Sequence, residues 1–471
     1  MIIWEEGIMS GVRQVEFYQK KTHWMRFKAY LSIGLLTLSF CNLALAIEIH
    51  SAELSVVDAV LEGLRHSPQI QSAEARFEEK DWGRVGALSG FLPTISVSAQ
   101  HFFSAKYQYL NTNFGGNPAQ FPMVFPNTSL TLSAMLPLFD GFQNWNRYEA
   151  QRLQAQVAHE QLKWGKLLTS QEIRERFYQA LAAQELQSVY RENLKTIQDH
   201  WNQVQLLKKG GSATHYDLLR VEVQKSEAES ELLQSEDNFV LARQKLTLSM
   251  GLSEDDRALF GSLPEPDLHV LNQFKFEVAQ QRADLQAERN SVEAAHSMRR
   301  ADRSFWFPKV SLGGQYTVYG LLSYNSQSNS VQDPNQYHSA YNLGVFLSWN
   351  LFDGLSSVAR SQQSFYQEVQ AEKQLHQSQI KALYDFEFWR RRFRYSAALF
   401  LAKKTEVIKA QESVRLAQVG YQAGVRTNTE ILDAELELFK ARAGIVHAKL
   451  ACVEALIHLE LTVGQALPVK N

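Results

Sequence analysis

The sequence predicts an α+β chain written twice, in which four amphipathic strands are one share of a transmembrane β-barrel and two long helical hairpins are one share of an α-helical barrel. Three observations predict this. Landmark residues recur at one fixed spacing. Four short segments alternate apolar and polar residues. Two stretches keep coiled-coil timing over many turns.

The repeat sets the layout. Leu138-Phe139-Asp140-Gly141 returns as Leu351-Phe352-Asp353-Gly354, and 354 − 141 = 213. Gly211 with Thr214, Leu218 and Leu219 returns at the same offset as Gly424 with Thr427, Ile431 and Leu432. Leu248-Ser249-Met250-Gly251 returns as Leu461-Thr462-Val463-Gly464. Phe91-Leu92-Pro93 matches Trp306-Phe307-Pro308 at an offset of 308 − 93 = 215. A period this long marks a duplicated domain and not a solenoid unit. The expected divisions are residues 1–46 (extension and signal peptide), 47–251 (first copy), 252–275 (linker, an equatorial region), 276–464 (second copy) and 465–471 (tail). Each copy should hold a helix, a strand pair (about 93–139 and 308–352) and a long hairpin (about 140–251 and 353–464).

The N-terminus carries an export signal. Lys20, Lys21, Arg26 and Lys28 precede an apolar run from Ala29 to Phe40, and Ala44-Leu45-Ala46 offers small residues where signal peptidase reads. The run is short for the ~20 residues of a spanning helix. We expect cleavage after Ala46 and a mature chain from Ile47, with residues before Met25 an upstream extension. Phe40 stands where lipidation of Cys41 would want a small residue, so the mature protein should be unlipidated. Cys452 is then the remaining cysteine, and no disulfide framework is available. The net charge of -2 gives no global pull toward nucleic acid or an anionic surface.

Helical stretches are expected from about Leu54 to Ser89 and from Phe276 to Arg303. The first long helix should run from Phe142 to Lys209, ~100 Å at the rise of an α-helix. Tyr190, Leu194, Ile197, Trp201 and Val204 step by four and three, as do Val407, Ala410, Val414, Ala417 and Tyr421 in the second copy. Gly211 and Gly424 sit where a helix needs a left-handed residue to stop. Thr214 with Asp217, and Thr427 with Glu430, fit capping boxes that start the return helices.

The strands alternate: Ile95, Val97, Ala99; Leu130, Leu132, Ala134, Leu136; Val310, Leu312, Tyr316, Val318; Leu343, Val345, Leu347, Trp349, each set interleaved with mainly polar residues. A soluble half-buried sheet alternates too. The export signal, the polar loops Asn111 to Asn127 and Asn325 to Ser339, and the aromatic flanks favour a barrel with one face in lipid. Those flanks are Phe91, Phe102, Phe103, Phe139, Trp306, Tyr319, Trp349 and Phe352, an aromatic girdle. Four strands cannot close a bilayer barrel, for which about eight are needed. Three copies would supply twelve, and their helices would form a tube.

The combination resembles the TolC family of outer-membrane factors. The resemblance covers nearly the whole mature chain. It rests on the two Leu-Phe-Asp-Gly motifs, Ser67-Pro68, Arg282-Ala283-Asp284-Leu285, Gly420-Tyr421-x-x-Gly424 and Ile431-Leu432-Asp433-Ala434. It implies a homotrimer with a β-barrel in the outer membrane and most of its mass in the periplasm. It further implies docking to a periplasmic adaptor protein and an inner-membrane transporter of RND, ABC or MFS type. Ala283 departs from the family's proline, and Phe142 and Leu355 stand where a second glycine is common.

By similarity Glu430 and Asp433, three apart on one helix face, match acidic rings at the periplasmic entrance. Such rings favour cations. Arg426, Asp217 and Tyr421 match positions that hold the entrance shut. Plain helix capping accounts equally for Asp217 and Glu430. No cap requires Asp433. Arg220, its counterpart in the first copy, could pair with these carboxylates and weaken the ring. The loops Gly211-Ser212-Ala213 and Gly424-Val425-Arg426 are the candidate adaptor contacts, from their place in the hairpins.

No phosphate loop, nucleophile elbow or paired-cysteine metal site is present, and His447, Cys452 and His458 point in different directions on one helix. The reading is a passive duct without cofactor or metal, and not an enzyme. The basic run Phe388 to Arg394 reads as a helix face with stacked arginines and not as a nucleic-acid patch. The rival is a periplasmic coiled-coil adaptor or scaffold without channel activity; a periplasmic hydrolase lacks any nucleophile constellation.

Overall fold

The computed structural model describes residues 53–103, 108–114, 116–123, 126–274, 281–321 and 337–465. The expected signal segment, with its expected cleavage residues Ala44 and Ala46, and the tail beyond 465 lie outside these. Two compact units are present. In the first, β1 (Glu53–Leu54) pairs in parallel with β6 (Ala258–Leu259). The second, Ser55–Asp256 with Phe260–Asn471, holds every other element.

Its first helical stretch is split. Ser55 caps α1 (Val56–His66), and Pro68 opens α2 (Pro68–Ala87), because proline lacks the N–H a continuing helix needs. The counterpart helix is α5 (Ala283–Asp302), shorter than expected at its start; residues 275–280 lie outside the described set. Ala283 stands at the first helical position in place of proline. The start is held by Arg282 instead, whose Nε and Nη2 donate to the Asp284 carboxylate at 3.0 and 2.6 Å.

Four strands form one antiparallel sheet in the order β2 (Thr94–His101), β5 (Pro126–Phe139), β7 (Lys309–Leu321), β8 (Tyr337–Ser348). The register segregates the faces. Val97, Leu132, Tyr316 and Tyr341 form one row across the sheet, and the adjacent row is Ser96, Ser133, Gln315 and Asn342. Part of the expected Asn111–Asn127 loop is a hairpin of its own, β3 (Gln108–Phe114) with β4 (Asn117–Met123). Gly116, at φ +91°, permits its tight turn. Of the second expected loop, residues 337–339 belong to β8 and 325–336 lie outside the described set.

Each strand pair feeds a long helix through Leu-Phe-Asp-Gly. The helices α3 (Gln143–Lys209) and α6 (Ser356–Gln422) both hold 67 residues. Asp140 and Asp353 cap them, accepting from the N–H of Asn144 at 2.7 Å and of Ser357 at 2.9 Å. The turn needs two consecutive left-handed residues. Gly141 and Gly354 supply the first, and Phe142 (φ +63°) and Leu355 (φ +70°) the second, at a cost of about 1–2 kcal/mol each. The return helices are α4 (His215–Ser249) and α7 (Asn428–Val463). The coiled-coil positions pack as the timing predicts. Ile197 and Val204 are buried with Leu218, Val221 and Leu432, and Ala417 with Ile431 and Ala434. No helix among the described residues is long and apolar enough to cross a membrane.

Candidate functional site

Both hairpins turn through the same device. The N–H of Ser212 reaches the carbonyl of Leu207 at 2.9 Å, and that of Val425 reaches Gly420 at 2.8 Å, with Gly211 (φ +76°) and Gly424 (φ +73°) left-handed between. Gly420 also makes room for the Arg426 alkyl chain, which a Cβ there would meet at 2.9 Å.

Beyond the turn the tips diverge. In the first, the capping box is complete: the Asp217 N–H donates to Thr214 Oγ1 at 3.1 Å, and the Thr214 N–H donates to Asp217 Oδ2 at 2.9 Å. The Thr214 hydroxyl and backbone hold the Asp217 carboxyl below the ordinary range, with Asn428 and Arg220 adding to the effect. In the second, Thr427 makes no side-chain cap. Glu430 turns instead to Arg426 Nη1 at 3.3 Å and accepts from the Thr427 hydroxyl at 3.2 Å. A buried contact takes the place of the cap: Asn428 lies under the first hairpin, its amide oxygen 2.7 Å from His200 Nε2.

Among the expected gate residues, Asp217, Arg220, Tyr421 and Asp433 thus meet across the two hairpins. Arg220 Nη1 donates to Thr429 Oγ1 at 2.9 Å and lies 4.0 Å from Asp433, so it neutralises that carboxylate only weakly. Tyr421 packs against Ala417, Ile431 and Ala434; burial first, then the Asp217 charge, raises its hydroxyl pKa. Glu430 and Arg426 pair with each other. Asp433 remains exposed. At the candidate docking loops, Gly211, Ser212, Gly424 and Val425 are exposed, and Ala213 packs partly against the Ile197–Leu218 cluster.

The aromatic residues fall at the two ends of the sheet. Phe91, Phe139, Trp306, Trp349 and Phe352 cluster where strands meet helices; Phe102, Phe103 and Tyr319 lie at the far end. The apolar row between them is bare, with Val97 65% and Tyr341 84% exposed. A sheet apolar on one face and polar on the other, capped by aromatic ends and joined to long helical hairpins, is what an exported channel protein needs.

Residues 61–252 and 277–465, one span in each copy, match the outer membrane efflux protein family. The chain belongs to that family. Its members are outer-membrane channels of efflux and secretion systems, so the chain is a conduit and not an enzyme. The chain is similar to the proteases secretion protein PrtF of Dickeya chrysanthemi, 24% identical over 460 residues and covering 93% of both chains. It is similar also to the alkaline protease secretion protein AprF of Pseudomonas aeruginosa, 23% identical, covering 91% of this chain and 88% of the relative. Among solved structures, CusC superimposes with a TM-score of 0.72 at 18% identity, over 87% of this chain and 92% of its own. That likeness establishes the fold.

Against the family frame, three buried polar groups escaped the sequence reading. Glu435 on α7 lies in a cavity of about 40 Å³ with Val189, Asn193, Val414 and Arg442, and burial pushes its pKa to about 7. Arg174 on α3 donates to a fully buried Glu460 on α7. Glu368 on α6 takes Arg299 at 2.8 Å and His296 at 2.7 Å from α5. The spacing of Glu435, three residues after Leu432 and four before Phe439, was the available signal: it is a seam position. Among the described residues no group of three or more metal-ligating side chains converges.

Proposed function

We propose that three copies of this chain close a barrel of twelve strands in the outer membrane and a helical tube beneath it. The assembly is a passive exit duct, gated at the hairpin tips and opened when an adaptor and an inner-membrane transporter dock there. The observation that carries this reading is the sheet. Among the described residues it has two unpaired edges, β2 and β8, and an exposed apolar face. Unpaired backbone in lipid costs several kcal/mol per group, roughly, so a spanning sheet must close. β7 and β8 hold 13 and 12 residues, enough for the ~9–11 of a tilted strand.

Asp433 is the gate's exposed acid in this reading; Arg220 on Thr429 and His200 on Asn428 tie the two tips together, with the Asp217 charge acting on Tyr421 between them. The two relatives matched along their length are protease secretion proteins, which favours a protein cargo over small-molecule efflux. Membrane fractionation separates the duct from a periplasmic scaffold. The duct predicts recovery in the outer membrane, extraction only by detergent, and a mass of three chains; a water-soluble monomer contradicts it.

A further inference from the structure

Glu435 occupies a place where an apolar side chain would pack without penalty. It stands on α7 between Leu432 and Phe439, at a position the seam timing reserves for apolar residues. It is 7% exposed, and among the described residues its Oε2 has no hydrogen-bond partner. The Gln418 side chain on α6 bonds the carboxyl and is all that meets it. Burying an acid half-satisfied costs free energy in the closed seam. The fold does not impose this burial on the repeat: Glu222, its counterpart in the first copy, is partly solvated under the Trp201 indole.

Three helices meet at this carboxyl. The cavity of about 40 Å³ beside it is walled by Val189, Asn193 and Thr196 of α3, Val414 of α6 and Arg442 of α7. That volume has room for water. Arg442 is the one other charged side chain among the residues that line it. It is already engaged. Its Nη1 donates to Glu192 Oε1 on α3 at 2.6 Å, a tie from the second hairpin to the first.

Two states follow from the Glu435 proton. With the carboxyl neutral, Gln418 and the cavity satisfy it, and Arg442 stays with Glu192. With the proton gone, a bare carboxylate needs a cation or water. The cation at hand is Arg442, two turns along the same face of α7, and taking it breaks the tie to Glu192. The other remedy is water, whose entry parts α3 from α7. Both remedies loosen the same joint, about two turns from the tip where Asn428 lies under the first hairpin.

We propose that Glu435 is a proton-sensitive latch of the gate: neutral, it keeps the second hairpin seated on the first, and ionised, it releases that hairpin and favours the open state. The latch rests on the gating at the hairpin tips proposed above. The sign follows from linkage. The closed gate holds the proton up to about pH 7, whereas an open gate that wets the carboxyl releases it near the ordinary carboxylate value of 4.5. The open fraction therefore rises with pH across that interval and is level above it. His200, another buried titratable group between the hairpins, has its pKa lowered by burial, and its share of any response survives in a Glu435 variant.

The test is the open-to-closed ratio of the purified three-chain protein in planar bilayers, from pH 5 to pH 8 at constant salt. The parent should show at least a tenfold rise between pH 5 and pH 7 and a plateau above. Glu435→Gln should cut the rise to less than threefold, while Glu222→Gln should follow the parent. Should Glu435→Gln fail to assemble, Glu435→Leu puts the same question with an apolar filler. A parent that rises less than threefold, or a Glu435 variant that keeps the tenfold rise, overturns the latch and leaves the duct standing. A three-chain fraction silent at every pH, even with its tips freed by His200→Ala, overturns the gated duct and the latch together.

Discussion

The two hairpin tips share one turn and differ in how the return helix begins. The first fastens itself: Thr214 and Asp217 satisfy each other within four residues. The second is fastened from outside, by His200 of the first hairpin on Asn428. Two turns further on, the contrast repeats. Glu222 in the first copy accepts from the Trp201 indole at 3.4 Å and stays partly solvated, whereas its counterpart Glu435 is buried. The difference teaches that the first return helix starts on its own cap, whereas the second starts on a contact that reaches across from the first hairpin. Under the proposed gating, the second hairpin is the arm expected to move.

The sharpest way to break this comparison is pH. Glu435 has a folded pKa of about 7 against an ordinary 4.5, so the folded state binds the proton more tightly than the unfolded one. Stability from this group is complete below 4.5, falls as pH rises toward 7, and is flat above, a loss of about 3 kcal/mol. Asp217 has the opposite sign: its contribution is present above the ordinary carboxylate range and is lost only in acid. Glu435→Gln should therefore abolish the decline in urea midpoint between pH 5 and pH 8, and equal slopes in variant and parent would show that Glu435 is not the source.

Next in size is the capping contrast. Thr214→Ala should destabilise the start of α4 by about 1–2 kcal/mol, while Thr427→Ala, which removes no side-chain cap, should cost a few tenths. Hydrogen exchange at the two helix starts reads both, and matching losses would erase the distinction between the tips. His200→Ala should then release α7 by about 1 kcal/mol and leave α4 protected. In single-channel recordings it should raise open time severalfold. The smallest effect concerns selectivity. Asp433→Ala should reduce cation preference, and Glu430→Ala should change it less because Arg426 already neutralises that carboxylate; the reverse order would make Glu430 the ring.

Local chemistry made much of this legible. Glycine, threonine and aspartate at fixed offsets located the tips, and the three-four stepping of Ile197, Trp201 and Val204 located the seam. Period-two alternation found all four sheet strands. The β3–β4 hairpin was read as a loop because its residues are polar and carry turn formers. The tip-two fastening and the Arg174–Glu460 pair were invisible for another reason: their partners lie 228 and 286 residues apart, and no local pattern encodes a contact of that range. The left-handed Phe142 and Leu355 were noticed as departures from glycine, but only the backbone shows that the turn kept its geometry and accepted the strain.

The central claim is that one chain supplies a third of a closed wall. The direct measurement is conductance in planar bilayers of fractions separated by mass. The account predicts cation-preferring steps from the three-chain fraction, sustained once His200→Ala frees the tips, and silence from single chains. Conduction by single chains, or a silent three-chain fraction whose tips have been freed by His200→Ala, would contradict it.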